Sequence, residues 1–332
     1  MSQDLGKSLR VSAEAPLRAE SARPMGRSLL SLIGNTPLLS LPHIERDLPG
    51  VRLLAKAEWF NPGGAVKDRA AMSIIADAEQ RGLIVPGKRL LDASSGNTAV
   101  AYAMIARAKG YQVTLCVPRN ANPQVQSILR SYGAELVLTD PLQGSDGAIR
   151  EARHLVQAQP DRYIYLDQYN NPANWQAHYR TTALEIWEQT AHQVTHFVAG
   201  LGTTGTFTGT ARRLKELNQK VRALAVQPDA PFHGLEGLKH LESALVPGIY
   251  DPTLPDETIF VSTEDAYRTA RRLADEEGLL VGPSSAAALV ASLRVGHAVS
   301  GSGGEAVIVM VFPDSGARYI AEGLFQSEEP RS

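Results

Sequence analysis

The chain has 332 residues, of which 43% are hydrophobic and 20% are charged. This balance is typical of a soluble globular protein with a sizeable apolar core, and the length suggests about two domains. The 33 Lys and Arg residues nearly match the 35 Asp and Glu residues, so the formal net charge is only −2. Nucleic-acid binding relies on a strong positive field, and we therefore expect no nucleic-acid partner.

The chain has one cysteine, Cys116, which lies in the apolar run YQVTLCVP. A single cysteine excludes an internal disulfide and a cysteine-cluster metal site, and it favours a reducing cytoplasm. No apolar run approaches the roughly 18 residues that a membrane span needs, and no HExxH or CxxC pattern predicts a metal. We expect a flexible extension at residues 1–27, which are rich in Ser, Ala and Arg, and a C-terminal tail at 326–332.

From about residue 52, short apolar runs alternate with helical patterns, which is typical of parallel α/β folds. The predicted strands are RLLAKAE (52–58), KRLLDAS (88–94), YQVTLCVP (111–118), AELVLTD (134–140), YIYLDQ (163–168), THFVAGL (195–201), VRALAVQ (221–227) and AVIVMVFP (306–313). Helices are predicted over 68–82, 98–109, 123–132, 146–158, 174–190, 206–217, 263–277 and 284–295. Pro- and Gly-rich segments at 61–64 and 169–174 would bracket an inserted four-strand unit.

Four loops carry the candidate chemistry, because ligands of open α/β sheets bind beyond the carboxyl ends of the strands. NPGGAVKDR places Lys67 near a helix start, where the helix dipole and partial burial lower the pKa of an amine, as a Schiff-base lysine needs. A solvated surface lysine is the alternative.

The second loop, DASSGNTA, can bind a carboxylate or a phosphate at the next helix start, or can simply cap that helix. Its candidate residues are Ser94, Ser95, Asn97 and Thr98.

The third loop, GLGTTG at 200–205, matches the G-x-G-x-x-G pattern of dinucleotide sites. That pattern also needs an acidic residue near the end of the next strand, but VRALAVQ ends in Gln227. A NAD-dependent dehydrogenase is therefore the weaker alternative, and a turn at 202–206 that holds a single phosphate is favoured.

The fourth loop, VGPSSAAA, places Ser284 at a helix start. Ser284 is a candidate site residue there, and the alternative is that it only caps the helix.

In this order the motifs resemble those of the cysteine synthases among the fold-type II pyridoxal-phosphate enzymes. The resemblance runs from IGNTPL at 33–38 through NPGGAVKDRAA, SSGNT, LDQYNNPAN and THFVAGLGTTGTFTG to PDSGARYI at 313–320. Threonine in the middle of GTTGT resembles the B-type enzymes and their O-phosphoserine-using relatives. The segment NANPQVQ at 120–126 departs from the usual family pattern.

The resemblance implies a two-domain, tryptophan-synthase-β-like α/β fold, with mostly parallel twisted sheets flanked by helices. The large cofactor-binding domain would comprise residues 28–73 and 171–325. A smaller mobile domain, residues 74–170, would be inserted in it. The resemblance also implies a homodimer.

The implied cofactor is pyridoxal 5′-phosphate. Lys67 would hold it covalently and then act as the base at the substrate α-carbon. Asn97 would hydrogen-bond the ring hydroxyl, and Ser284 would face the pyridine nitrogen; a neutral hydroxyl there suits β-elimination better than transamination. The phosphate group would be bound by Gly202, Thr203, Thr204, Gly205 and Thr206. The substrate carboxylate would be bound by Ser94, Ser95, Asn97, Thr98 and Gln168.

The implied reaction replaces the β-substituent of O-acetyl-L-serine or O-phospho-L-serine with sulfur, through an aminoacrylate intermediate, to give L-cysteine. We hypothesise that Lys239 faces the leaving group and permits O-phosphoserine, with weaker phosphate selection than an arginine fork would give. The alternatives are a cystathionine β-synthase-like enzyme, a serine or threonine dehydratase, and a catalytically silent partner protein. Sulfide, thiosulfate and the thiocarboxylate of a sulfur-carrier protein all stay open as sulfur sources.

Overall fold

The computed structural model describes residues 26–325. The predicted tail at 326–332, and all but the last two residues of the predicted extension at 1–27, lie outside the described residues. Within 26–325, no helix is long and apolar enough to cross a membrane. The same stretch contains no group of three or more His, Cys, Asp or Glu side chains that could hold a metal ion.

Strands and α-helices alternate along this stretch. The strands are β1 (Leu38–Ser40), β2 (Val51–Ala57), β3 (Arg89–Ala93), β4 (Val113–Pro118), β5 (Glu135–Thr139), β6 (Tyr163–Tyr165), β7 (His196–Gly200), β8 (Arg222–Pro228), β9 (Glu257–Val261) and β10 (Ala306–Phe312). The helices are α1 (Lys67–Gln80), α2 (Asn97–Lys109), α3 (Pro123–Ser131), α4 (Gly144–Ala158), α5 (Pro172–Arg180), α6 (Thr182–Gln189), α7 (Gly205–Leu217), α8 (Thr263–Glu277) and α9 (Pro283–Gly301). Each predicted strand and helix overlaps at least one of these elements.

The strands form two sheets, with the orders β1-β2-β10-β7-β8-β9 and β5-β4-β3-β6. Every neighbouring pair is parallel except β1 with β2. Parallel strands need crossover connections that cover both faces of a sheet, and β4 is accordingly buried at every residue. The architecture is therefore the mostly parallel α/β fold that the sequence predicts.

The structure differs from the prediction at three places. Strands β1 and β9 are not predicted, and both are edge strands without the long apolar run of a central strand. The predicted helix at 174–190 is two helices, α5 and α6. They are separated at Thr181, whose φ of −124° and ψ of −74° are not helical.

The parallel arrangement brings strand ends together. The segments that follow β2, β3, β6, β7, β8 and β10 all contribute residues to one cavity. The four strands of the smaller sheet lie within residues 89–165, and the larger sheet is built from the chain on either side of them. The cavity is therefore lined by loops from both sheets, as expected at the carboxyl edge of parallel strands.

Candidate active site

The cavity has a volume of about 310 Å³. Nine of the predicted site residues line it: Lys67, Ser94, Ser95, Asn97, Thr98, Gln168, Gly202, Thr203 and Lys239. Ser284 and Thr206 line a narrower extension of about 40 Å³. Motifs that are far apart in sequence are thus brought to one place.

Lys67 is the first residue of α1, and its Nζ donates a hydrogen bond to Thr203 Oγ1 at 3.3 Å. Removal from water lowers the pKa of the Lys67 amine to about 8, and the negative charge of Asp314 partly opposes this shift. Roughly a tenth of an amine with this pKa is neutral at pH 7, far more than for an ordinary lysine. Lys67 is therefore suited to act as a nucleophile and as a base.

The loop between β7 and α7 forms a cradle for an anion. Thr204 has a φ of +69° and immediately precedes α7, which begins at Gly205. An added Cβ at Gly202 would lie 2.1 Å from the carbonyl oxygen of Gly237, so the backbone needs glycine there. Thr204 Oγ1 is buried and has no hydrogen-bond partner among the described residues. A helix N-terminus with an unsatisfied hydroxyl fits a phosphate group.

A narrow slot extends from Lys67 to Ser284. Ser284 is buried in the first turn of α9, and the slot walls include the apolar side chains of Val66, Val311 and Pro313. A flat aromatic ring with a polar atom at its far edge matches this shape and chemistry. Lys67 and the β7–α7 loop adjoin this slot, so an amine, an anion cradle and a partly apolar slot lie side by side.

Asn97 is held by residues that the sequence analysis did not name. Its Nδ2 donates to Asp314 Oδ2 at 2.6 Å, and Arg318 donates to its Oδ1. The hydroxyl of Tyr319 donates to the same Asp314 oxygen at 2.6 Å. Burial raises the pKa of Asp314, which has no solvent to stabilise its charge. The motif PDSGARYI contains all three partners, so it could have identified them.

The predicted carboxylate-binding loop is joined to Gln168 by hydrogen bonds. Gln168 Nε2 donates to the Ala93 carbonyl at 2.7 Å, and the Gln168 backbone N–H donates to Asp92 Oδ2 at 3.1 Å. Asp92 is fully buried, and burial raises the pKa of its carboxyl to about 7. Asp92 is a further residue that the sequence analysis did not single out, although it directly precedes ASSGNT.

Lys239 reaches the cavity, but its ammonium is not free. Lys239 Nζ donates to Asp146 Oδ1 at 3.0 Å and lies 5.3 Å from the centroid of the Tyr169 ring. The Lys239 backbone N–H donates to the Leu201 carbonyl at 2.8 Å, next to the β7–α7 loop. The side chain is thus anchored beside the cavity and turned towards α4.

Two further buried residues of α5 support the β7–α7 loop and the first turn of α7. Asn174 Nδ2 donates to Thr203 Oγ1 at 3.2 Å, and His178 Nε2 lies 3.3 Å from Thr206 Oγ1. Burial lowers the pKa of His178 well below 6.5, so the ring is neutral near pH 7. Asn174 ends the motif LDQYNNPAN, and the helical spacing of four residues could have pointed to His178.

The chain belongs to the family of pyridoxal-phosphate dependent enzymes, whose family model matches residues 29–314. It is 51% identical to a cysteine synthase of Aquifex aeolicus, over 93% of this chain and 95% of that protein. It is 43% identical to cysteine synthase B of Salmonella typhimurium, over 91% of this chain and 97% of that protein. Among solved structures, the cysteine synthase (OASS) of Entamoeba histolytica superposes with a TM-score of 0.86 at 32% identity, and the match covers 96% of each chain.

These similarities place the chain among the enzymes of the cysteine synthase type and show that its cofactor is pyridoxal phosphate. The resemblance inferred from the motifs is confirmed, and with it the fold class. The dehydrogenase alternative is wrong. The structure agrees with this. A dinucleotide site needs an acidic side chain at the end of β8, but Gln227 lies there, and its side-chain oxygen accepts a hydrogen bond from the Leu241 backbone N–H at 3.0 Å.

Proposed function

We propose that this enzyme makes L-cysteine from O-acetyl-L-serine, accepts O-phospho-L-serine as a second donor, and uses Lys67 as its central catalytic residue. The observation that carries the proposal is the position of Lys67. Its amine has a pKa of about 8 and lies between the anion cradle of β7–α7 and the slot that ends at Ser284. A solvent-exposed lysine would instead keep the much higher pKa of an ordinary lysine side chain.

The cofactor contacts follow from the same geometry. Lys67 would hold the cofactor covalently, Ser284 would face its ring nitrogen, and Asn97 would hydrogen-bond its ring hydroxyl. The phosphate group would be bound by Gly202, Thr203, Thr204, Gly205 and Thr206. When bound, pyridoxal phosphate supplies a ring that withdraws electrons from the substrate α-carbon. Asn97 would exchange its contact with Arg318 or Asp314 for the ring hydroxyl.

Lys67 Nζ would take the proton from the substrate α-carbon, because a base works best when its pKa lies near the working pH. Asp314 favours the protonated amine once the proton has been taken. The Cβ–O bond of the donor then breaks, and the oxygen leaves with the electron pair as acetate or phosphate. A sulfur nucleophile adds at Cβ, and the proton held on Lys67 returns to the α-carbon.

The substrate carboxylate would be bound where α2 begins. The start of a helix carries a partial positive charge, and several hydroxyl and amide groups surround it here. The proposed ligands are Ser94, Ser95, Asn97, Thr98 and Gln168. We assign 28–73 and 171–325 to the large domain and 74–170 to a mobile domain that closes over the donor. The hydrogen bonds of Gln168 to Asp92 and Ala93 would keep these loops together during closure.

The family resemblance supports a homodimer, and the lone buried Cys116 is compatible with work in the cytoplasm. A wider opening of about 650 Å³ adjoins the cavity and is lined by Ser95, Asn122, Gln124, Ser145 and Glu236, among others. An opening of this size is compatible with sulfur donors larger than sulfide, including the thiocarboxylate of a carrier protein.

The proposal is tested with purified enzyme and its cofactor. The product formed from each donor is identified and its rate measured with sulfide, with thiosulfate and with homocysteine as the nucleophile. We expect cysteine from sulfide with O-acetylserine as the better donor. Cystathionine as the main product, or pyruvate without cysteine, would assign the enzyme to one of the alternative reactions.

The role of Lys67 is tested separately. Borohydride reduction followed by peptide mapping should find the reduced cofactor on Lys67, and Lys67→Ala should lose both the reduced adduct and cysteine formation. Lys220→Ala, a substitution of an exposed lysine outside the cavity, is the matched control. A reduced adduct on any other lysine would overturn the assignment.

A further inference from the structure

An ion pair at the wall of the cavity joins α4 to the segment after β8. The Asp146 carboxylate accepts hydrogen bonds from Lys239 Nζ at 3.0 Å and from the Leu245 backbone N–H at 3.2 Å. The side chain of Lys239 is 10% exposed and that of Asp146 is 26% exposed. The pair is therefore largely shielded from solvent. Two charges in such surroundings interact more strongly than two charges at a free surface.

Asp146 is positioned in three ways. It lies in the first turn of α4, where the helix dipole stabilises a carboxylate. The contact with Leu245 fixes it to the other side of the cavity. Its neighbours Ser145 and Ala148 line the cavity itself, so this turn of α4 forms part of the wall next to Lys239.

We propose that Asp146 sets the donor selectivity of the enzyme by holding the ammonium of Lys239 in an ion pair, which disfavours donors whose β-substituent is already negatively charged. The inference rests on the proposed function, since it concerns the donor of the same reaction. It makes Asp146 a specificity-determining residue that acts through Lys239.

The physical reason is a difference in charge between the two donors. The acetyl ester is neutral, so it loses nothing when Lys239 stays paired with Asp146. The phosphate ester carries about −1.5 to −2 charge at pH 7 and needs a cation in its place. It can reach the Lys239 ammonium only by displacing Asp146 from the ion pair. Among the other charged residues that line the cavity, Lys67 and Arg318 are positive and Glu236 is negative.

The test is the substitution Asp146→Asn. Asparagine keeps an oxygen that can accept from Lys239 and Leu245, but it removes the negative charge. We measure kcat/KM for O-phosphoserine and for O-acetylserine with sulfide, and we expect the ratio of the two to rise about tenfold in favour of phosphoserine. A second readout is calorimetric binding of inorganic phosphate to the holoenzyme, which we expect to tighten by a similar factor. Thermal unfolding checks that the variant is folded.

Two further variants make the result specific. Glu151→Gln removes a negative charge from the same helix without a contact to Lys239, so we expect an unchanged donor ratio. In a Lys239→Met background, Asp146→Asn should shift the ratio by less than about twofold, because its effect runs through Lys239.

The outcomes separate this inference from the proposed function. If the wild-type enzyme makes cysteine but Asp146→Asn leaves the donor ratio and phosphate binding unchanged, the inference alone is wrong. An equal shift in the Lys239→Met background would also overturn it, because Asp146 would then act by direct repulsion. If the wild-type enzyme makes no cysteine from either donor, the proposed function itself fails.

Discussion

The side-chain amide of Asn97 donates to the buried carboxylate of Asp314 at 2.6 Å, although 217 positions separate the two residues in sequence. Asn97 begins α2, and Asp314 follows β10. The contact links loops that follow a strand of the smaller sheet and a strand of the larger one. The same carboxylate lies near Lys67 and opposes the lowering of its pKa by burial. The buried Asp314 carboxylate thus acts on both Asn97 and Lys67, the two side chains that we propose contact the cofactor.

Asp314→Asn tests this electrostatic influence. Removing the negative charge should lower the pKa of Lys67 below about 8, because the charge of Asp314 raises that pKa in the native protein. The measurement is the pH dependence of the rate at which the apoenzyme takes up pyridoxal phosphate, since only the neutral amine attacks the aldehyde. We expect the midpoint to move to lower pH. An unchanged midpoint, equal to that of the exposed-residue control Asp161→Asn, would contradict the prediction.

Gly202→Ala tests the shape of the anion cradle. The new Cβ would lie 2.1 Å from the backbone oxygen of Gly237, which no side-chain rotation can relieve. We expect a loss of about 1–3 kcal/mol in the free energy of unfolding, as for other overpacked sites, together with weaker cofactor binding. Urea unfolding and cofactor titration measure the two effects. Gly301→Ala, where an added Cβ meets no atom within 4 Å, should change neither.

Thr204→Val tests whether an unsatisfied hydroxyl is reserved for the cofactor phosphate. Thr204 Oγ1 and Thr210 Oγ1 are both buried without a partner among residues 26–325, but only Thr204 lies in the β7–α7 loop. Replacing such a hydroxyl with a methyl group should stabilise the apoenzyme by about 1 kcal/mol at either position. Only Thr204→Val should also weaken pyridoxal phosphate binding, by about tenfold. Equal cofactor affinity in both variants would remove Thr204 from the proposed phosphate site.

His178→Gln tests the pH dependence of stability. Burial holds the pKa of His178 well below 6.5, so below pH 6.5 the unfolded chain binds a proton that the folded chain does not. Native stability should therefore fall with decreasing pH by about 1.4 kcal/mol per pH unit from this residue. The variant should lose this dependence of stability on pH. Its free energy of unfolding at pH 7.5 should also be lower than that of the wild type, because the packing of the buried His178 ring is lost. Asp92, whose raised pKa contributes with the opposite sign, is present in both proteins and cancels in the comparison.

Urea unfolding of the wild type and the His178→Gln variant at several pH values provides the measurement. Parallel pH profiles for the two proteins would show that His178 is not the residue that resists protonation. His196, which is buried with a lowered pKa on β7, is the residue to substitute next in that case.

Local sequence patterns predicted most of the secondary structure. Central strands contain short apolar runs, and helices repeat their apolar residues every three or four positions, so both can be recognised from neighbouring residues alone. The edge strands β1 and β9 were missed because they are stabilised by pairing with one neighbour rather than by an apolar run. The break between α5 and α6 at Thr181 was missed as well, because no Gly or Pro marks it in the sequence.

The sequence by itself determined the order of the glycine- and hydroxyl-rich loops, and that order identified the family and placed Lys67, Asn97 and Ser284 as candidates. Tertiary structure alone decided which groups surround them. The pairs Asn97–Asp314 and Lys239–Asp146 join residues that are 217 and 93 positions apart. Such contacts depend on how the two sheets pack, and a lowered lysine pKa depends on the burial that this packing creates. Local sequence patterns contain neither the packing of the two sheets nor the burial of Lys67.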